Sequence, residues 1–240
     1  MFCLPVDEIE IDGVVFTKYY SIYLPDESMV VLSDLHIGFE EVMAQKGLIL
    51  PKLQKNRILN ILEKNFDKFS PSKILIDGDF KHEFSKNVRQ EWREITEIIE
   101  FIKSRSELIV VRGNHDNYLK NILARYSITL HNYYRTKDFT FIHGDKKMDW
   151  KGTVIIGHEH PSIKIRDSVG GLLNLPVFLH GKNIIVLPSP SVYSSGSDIL
   201  GNEIISPVLS DFNMDDLDCI GIDEKIGILE MGKIKDIKEL

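Results

Sequence analysis

The sequence predicts an α/β fold, a mixed sheet covered by helices. Its first half alternates short, apolar, β-branched runs with stretches of helical periodicity. Beyond Ile128 the helical signal fades and strand-sized runs dominate. The longest apolar runs, such as Met29 to Leu32 and Ile184 to Leu187, are of strand length, and 240 residues suit one compact domain. Residues 1–240 are therefore expected to form one domain, with its motifs between 29 and 188 and a C-terminal loop and β-hairpin over 189–240.

Val14 to Leu24 reads as a hairpin, Pro25-Asp26-Glu27-Ser28 as a turn, and Met29 to Ser33 as the first buried strand. Pro51 suits a helix N1 position, with Leu53, Ile58, Ile61, Leu62 and Phe66 at helical spacing behind it. Lys73 to Asp77 is a second strand. Val88, Trp92, Ile95, Ile99 and Ile102 form one stripe of an amphipathic helix, with Trp92 in the core. Glu107 to Val111 is a third strand and Tyr118 to Arg125 a short helix. Phe139 to Ile142, Thr153 to Ile156, Val177 to Leu179 and Ile184 to Leu187 are further strands. Ser189 to Asp211, rich in Ser, Gly and Pro, reads as a long loop, and Lys225 to Ile234 as a closing hairpin around Gly232.

Composition excludes several classes. At 43% hydrophobic and 27% charged residues the chain is too apolar for wholesale disorder. No apolar run approaches the roughly 18 residues of a membrane helix, and Met1 to Glu10 lacks the features of a signal peptide, so a cytoplasmic location is expected. Cys3 and Cys219 stand far apart, which argues against a disulfide framework, a zinc ribbon or a redox dithiol. The net charge of −7 is concentrated at the end, where Asp211 to Leu240 carries nine acidic and four basic residues. The near-balanced body has no global basic field to steer a nucleic acid, although a local site for one remains compatible with it.

The carboxyl ends of five strands are more informative. Val31-Leu32-Ser33 runs into Asp34-Leu35-His36, and Ile74-Leu75-Ile76-Asp77 into Gly78-Asp79. Ile109 to Arg112 runs into Gly113-Asn114-His115-Asp116, Phe139 to Ile142 into His143-Gly144-Asp145, and Val154-Ile155-Ile156 into Gly157-His158-Glu159-His160. In α/β sheets, ligands collect beyond the carboxyl ends of strands. Asp, His and Asn gathered at such an edge make a metal constellation, suited to Mn²⁺, iron or Zn²⁺ rather than Ca²⁺. An extended backbone would put Asp34 and His36, and likewise His158 and His160, on one side. Glycines 78, 113 and 157 let the backbone turn sharply and approach a ligand closely.

The order Asp-x-His, Gly-Asp, Gly-Asn-His-Asp, His-Gly, Gly-His-x-His resembles that of the calcineurin-like metallophosphoesterases, over Asp34 to His160. The resemblance implies a four-layer α-β-β-α sandwich of two mixed sheets flanked by helices. It implies two divalent cations, Mn²⁺ first and iron or Zn²⁺ as alternatives, bridged by Asp79. Asp34, His36 and His160 would complete one protein shell, and Asn114, His143 and His158 the other. A metal-bound hydroxide would attack phosphorus, with His115 matching the family's non-ligand catalytic histidine. Many phosphatases of the family carry Gly-Asp-x-x-Asp, whose second Asp orients that histidine. Here Asp79-Phe80-Lys81-His82 places histidine there, which is similar to the double-strand-break-repair nuclease branch. The stretch Gly78 to Phe84 looks closest to small archaeal relatives of those nucleases and to bacterial DNA-ligase-associated phosphoesterases. Repair or ligase machinery as partners is implied by that likeness alone.

The expected activity is thus a dinuclear phosphodiesterase. The alternatives are a nuclease on single-stranded or end DNA or RNA, a phosphomonoesterase, and a non-catalytic metal-binding scaffold. His82 is read as a second catalytic imidazole, against a loop histidine that merely neighbours the site. Arg112, with Asn114, is a candidate phosphate contact, against a structural salt bridge, and Lys81 carries the same two readings. Asp116 is expected as a helix N-cap, against a group that orients the site from behind its ligands, His180 in a solvated turn, and His131 at a strand end. The 189–211 loop is expected to border the site.

Overall fold

Tight turns and crossover helices divide the first half into two kinds of strand pairing. The structure, a computed structural model, describes residues 6–166, 171–201 and 203–239; Cys3 lies outside them. β1 (Glu8–Ile11), β2 (Val14–Thr17), β3 (Ser21–Leu24) and β4 (Met29–Leu32) form an antiparallel meander. A two-residue turn joins β1 to β2, where Asp12 and Gly13 both take positive φ, as a type I′ hairpin requires. Parallel neighbours need longer crossings. α1 (Phe39–Gln45) and α2 (Gln54–Phe69) lead to β5 (Lys73–Asp77), α3 (Arg89–Lys103) to β6 (Glu107–Val111), and α4 (Lys120–Leu123) to the short β7 (Leu130–His131). β4 to β7 are mutually parallel, and the seven strands lie in sequence order.

The second sheet draws on β8 (Tyr134–Arg135), β9 (Phe139–Phe141), β10 (Thr153–Ile156), β11 (Pro161–Arg166), β12 (Leu172–Gly181), β13 (Ile184–Val186), β14 (Ser197–Asp198), β15 (Asp218–Asp223) and β16 (Gly227–Lys233). Its order is β14-β11-β12-β13-β10-β9-β8, with β15 between β12 and β16. β9, β10 and β13 are parallel, and β12 is antiparallel to each of its neighbours. The chain closes on α5 (Ile234–Lys238).

Alternation along these strands produces the layers. Ile155, Phe178 and Ile185 pack with Phe16, Ile22 and the rest of the first sheet's core. Their sequence neighbours Val154, Ile156, Val177, Leu179, Ile184 and Val186 join Val208, Leu209, Ile234 and Ile237 on the opposite face. Ile95, Ile98, Ile99 and Ile102 of α3, at helical spacing, are fully buried with the first sheet. The expected four-layer sandwich is present, two mixed sheets flanked by helices. The flank over the second sheet consists of 3-10 turns at Pro207–Asp211 and Met214–Asp216 together with α5.

Some local expectations fail for identifiable reasons. Helix α2 begins at Gln54 rather than at Pro51, because Glu40 Oε1 accepts the Leu53 and Gln54 N–H groups at 3.0 and 2.9 Å and so supplies the helix end. The closing hairpin is β15–β16, turning at residues 224–226; Gly232 lies inside β16 beside a register shift at Cys219/Ile220. His180 is not in a turn. It sits half-buried in β12, its ring 5.7 Å from Phe16. Trp92 is only partly buried, under the Arg125 guanidinium at 4.6 Å.

The sheets meet through Phe16 and Phe178, edge to face with centroids 5.3 Å apart. Phe178→Ala is expected to lower the unfolding free energy by about 3–5 kcal/mol. The denaturant midpoint should fall with little change in slope. A loss below about 1 kcal/mol would show that this contact does not join the layers.

Candidate metal centre

Five loops converge where the parallel strands of both sheets end. β4, β5 and β6 deliver Asp34 and His36, Asp79, and Asn114 and His115; β9 and β10 deliver His143, and His158 and His160. All seven expected metal ligands and both catalytic candidates, His82 and His115, lie in this one region. Two groups of donors suited to cations form there, Asp34–His36–His160 and Asp79–His143–His158, each with its donor atoms within 4.8 Å of one another. A third group joins His36 to His82 and His115.

The backbone that achieves this is not extended. Asp34, His36, Asp79, His158 and His160 all have left-handed φ, between 45° and 61°, a region non-glycine residues rarely adopt. Side chains two apart share a side because of these turns, not because of strand alternation. The loops after β4 and β5 zip together instead, Asp34 N–H to Gly78 O, His36 N–H to Asp79 O and Ile37 N–H to Phe80 O, at 2.9–3.1 Å. The motif glycines serve mainly close approach. A Cβ at Gly78, which also has φ +85°, would fall 2.2 Å from the His143 ring. A Cβ at Gly113 would fall 2.1 Å from Asp79 Oδ1, and one at Gly157 1.8 Å from Ser33 Oγ.

Both carboxylates have one anchored oxygen and one exposed to the centre. Asp34 Oδ2 accepts from Ser33 Oγ at 2.7 Å and His158 N–H at 3.0 Å. Its Oδ1 is buried without a hydrogen-bond partner, 2.9 Å from His160 Nε2 but not aligned for a bond. Asp79 Oδ1 accepts the His115 N–H at 2.8 Å, and its Oδ2 lies between the two groups, 3.9 Å from His36 Nε2 and 3.4 Å from His143 Nε2.

The imidazoles are oriented by their other nitrogens. Carbonyl oxygens only accept, so His143 Nδ1 donates to Asp77 O at 3.1 Å and His115 Nδ1 to His82 O at 2.5 Å. His160 Nδ1 meets Ser194 Oγ at 3.0 Å. Nε2 of His143 then faces Asn114 Oδ1 at 3.1 Å as well as Asp79 Oδ2. Three lone pairs directed at one another in a buried space need a proton or a cation between them. His36 Nε2 and His160 Nε2, 3.4 Å apart, pose the same demand beside Asp34 Oδ1. The donors present therefore fit divalent cations, whose bonds to such ligands run about 2.0–2.2 Å.

The electrostatics match. Burial disfavours charge on His143, but Asp79 and Asp34 outweigh it and raise its pKa to about 10. Burial also works against ionisation of Asp34, yet His160, His143 and His36 hold it far below the usual carboxylate range. Burial lowers His36 to about 3 and His82 to about 4.

Other expectations are redirected. Lys81 is fully buried, 3.6 Å from Glu91 and donating to the Lys86 carbonyl at 3.1 Å, so it is a structural ion pair and cannot reach phosphate. Asp116 caps no helix, since α4 begins after Leu119. Its buried carboxylate accepts from Gly113 N–H at 2.8 Å and Lys81 N–H at 3.2 Å, tying two motif loops together. Arg112 is exposed, bonded to Asn117 Oδ1 at 3.0 Å, and lines a cleft of ≈ 370 Å³ floored by Gly113, Asn114 and His143. The 189–211 loop does border the centre, through Ser194 and through Ser189 Oγ, which donates to Asp34 O at 2.9 Å. Sequence reasoning missed Ser33, Ser189, Ser194 and Glu91, which touch ligands or their loops; only the serine-rich composition of 189–211 signalled any of them.

At pH 7 the raised pKa of His143 means that a proton occupies the space a cation must enter. Cation binding to metal-free protein should release protons, and affinity should strengthen as pH rises toward about 10. Calorimetric titration at pH 7 in buffers of different ionisation enthalpy checks this. Binding with no proton release would refute the His143 assignment.

Comparison with known proteins places this geometry. No curated protein matches the sequence. Among solved structures, a nuclease MPE from Pseudomonas putida is similar, with a TM-score of 0.65, 21% identity, and coverage of 92% of this chain and 98% of that one, a likeness of fold. YfcE, a phosphoesterase from E. coli, aligns at a TM-score of 0.39 and 16% identity over 81% of this chain and 87% of its own. Among the described residues no helix is long and apolar enough to cross a membrane. The profile of the calcineurin-like phosphoesterases matches residues 28–217, and the chain belongs to that family.

Proposed function

We propose that the protein is a dinuclear metal-dependent phosphodiesterase, with Asp34, His36 and His160 holding one cation, Asn114, His143 and His158 the other, and Asp79 shared. The observation that carries this reading is Asp79 Oδ2, set between the two donor groups while its partner oxygen is pinned by His115 N–H. Bound divalent cations supply Lewis acidity toward phosphoryl oxygens and lower the pKa of water. Mn²⁺ is the first choice for an N/O donor set without thiolate.

The chain's own residues supply the rest. With Nδ1 committed to the His82 carbonyl, His115 keeps Nε2 for a proton, and gives it to the departing alkoxide. His82 stacks on His115, centroids 5.3 Å apart, and its Nδ1 lies 3.4 Å from His36 Nδ1. Its Nε2 is left to contact a phosphate oxygen. Two imidazoles side by side suit a diester, whose alkoxide leaving group is costly to expel without a proton donor. Arg112 and the cleft it lines accept the part of the substrate beyond the scissile phosphate.

A second reading, a nuclease, is favoured by the rim. Phe84 is 59% exposed with its ring 6.5 Å from His115, and Tyr118, 50% exposed, is tied to the same loop by Asn87 Nδ2 at 3.1 Å. Exposed aromatics beside a phosphate site suit base stacking in a single strand. The Pseudomonas putida protein of similar fold is itself described as a nuclease.

Asp79→Asn is expected to abolish turnover of a chromogenic diester by Mn²⁺-loaded protein. His115→Ala should keep the bound metal while losing roughly 10²–10⁴-fold in kcat on an alkyl diester, whose leaving group needs a proton. An Asp79→Asn variant with most of its activity would sink the shared-ligand assignment, and wild type preferring the matching monoester would move the protein to the monoesterases. For the second reading, Phe84→Ala should weaken a single-stranded oligonucleotide by roughly 1–3 kcal/mol. Unchanged oligonucleotide affinity would remove the stacking argument.

A further inference from the structure

His82 occupies the position where many phosphatases of this family carry the aspartate that orients the catalytic histidine, so the orienting group for His115 has to come from elsewhere. The His115 Nδ1–H goes to the carbonyl of His82 at 2.5 Å. The N–H of the same peptide unit, on Glu83, donates to Glu91 Oε1, also at 2.5 Å. One planar amide is thus gripped at both ends, by an imidazole on its oxygen and a carboxylate on its nitrogen side. Amide resonance couples the ends: a carboxylate drawing on the N–H increases the density on the carbonyl and its strength as an acceptor.

Glu91 is built for this task. It sits in the first turn of α3, fully buried, where no water competes for its oxygens. Oε1 is also 3.2 Å from the His82 N–H, and Oε2 accepts the Val88 N–H at 3.0 Å, so the loop from 82 to 88 wraps round the carboxylate. Its countercharge, Lys81, is equally buried at 3.6 Å and fastens the Lys86 carbonyl of that loop. Gly38, directly after the Asp34–His36 loop, leaves room for the Glu91 stem: a Cβ there would fall 2.3 Å from Glu91 Cγ.

We propose that Glu91 is the positioning residue for His115, fixing its ring and its Nδ1–H tautomer through the His82–Glu83 peptide in place of the missing aspartate. This rests on His115 being the group that protonates the leaving alkoxide.

The test compares Mn²⁺-loaded wild type, Glu91→Gln, His115→Ala and the double variant Lys81→Met/Glu91→Gln. The double variant removes both buried charges at similar volume and guards against misfolding from an unpaired Lys81. Each is assayed on a nitrophenyl diester, whose leaving group departs without a proton, and on the matching alkyl diester, whose leaving group needs one. The kcat of the Glu91 variants should fall at least about tenfold further on the alkyl ester. KM and metal content should hold, and hydrogen exchange at the Glu83 amide should accelerate. In metal-free protein at a pH high enough to leave the His115 ring neutral, its ¹⁵N shifts should move from the Nδ1–H tautomer in wild type toward a mixture in the Glu91 variants. Equal losses on both esters, or an unmoved tautomer, would overturn the proposal while His115→Ala still discriminates between them. Absence of discrimination in His115→Ala itself would overturn the acid role and this proposal with it.

Discussion

Lone pairs that face one another in a dry space set the terms for the rest of this structure. Asp34 Oδ1, His36 Nε2 and His160 Nε2 converge on one point, and Asp79 Oδ2, Asn114 Oδ1 and His143 Nε2 on another, with neighbouring atoms 2.9–3.4 Å apart. Such an arrangement is repulsive by itself, so it persists only where the scaffold enforces it. The enforcement is visible in the backbone. Left-handed φ at five of the ligands costs of order 1–3 kcal/mol at each. The cost is tolerable because these residues follow largely buried parallel strands and their loops are fastened to one another, Asp34 N–H to Gly78 O, His36 N–H to Asp79 O and His158 N–H to Asp34 Oδ2.

The hydrogen bonds around the ligands share one design. Asp34 and Asp79 are each tied by one oxygen, and His143 and His160 by Nδ1, which leaves the other atom of each to face the centre. Where the partner is a backbone carbonyl, the tautomer is decided outright, because a carbonyl cannot donate. The loop carbonyls of Asp77 and His82 therefore determine which nitrogen faces the site. This is why residues with no conspicuous chemistry, such as Ser33, Ser194 and Glu91, bear on the chemistry. They hold the loops in the one conformation that aims the free lone pairs inward.

Legibility in the sequence divides along the same line. The strands that lead to the centre are short and mostly apolar, with buried carboxyl-terminal halves, and their ends carry the motif residues openly. That Asp34, His36, Asp79, Asn114, His115, His143, His158 and His160 should gather at one edge is legible from residue type and order, and they do gather there. Less legible is anything decided by a partner distant in sequence. Pro51 has the look of a helix start, but Glu40 takes the first N–H groups of α2. Asp116 resembles a cap because the pattern shows an Asp before a short helix, while its partners, Gly113 and Lys81, come from two separate loops. Lys81 is ambiguous for the same reason: its fate depends on Glu91, across the turn that precedes α3. Short elements such as β7, β8 and β14 exist through pairing alone and carry no periodicity to detect.

The division of ligands between the sheets has an energetic consequence. Asp34, His36, Asp79 and Asn114 extend from the first sheet, and His143, His158 and His160 from the second. Each donor group takes members from both, so neither sheet holds a complete group alone. A cation bound there bridges the layers, and its binding free energy adds to the apolar contact between Phe16 and Phe178 beneath it. The carboxylates of Asp79 and Asp34 raise the pKa of buried His143, and the 3.4 Å approach of His143 Nε2 to Asp79 Oδ2 is itself a contact between the two sheets. The inter-sheet core, with Phe16 against Phe178, thus helps fix the distance across which donors from the two sheets meet.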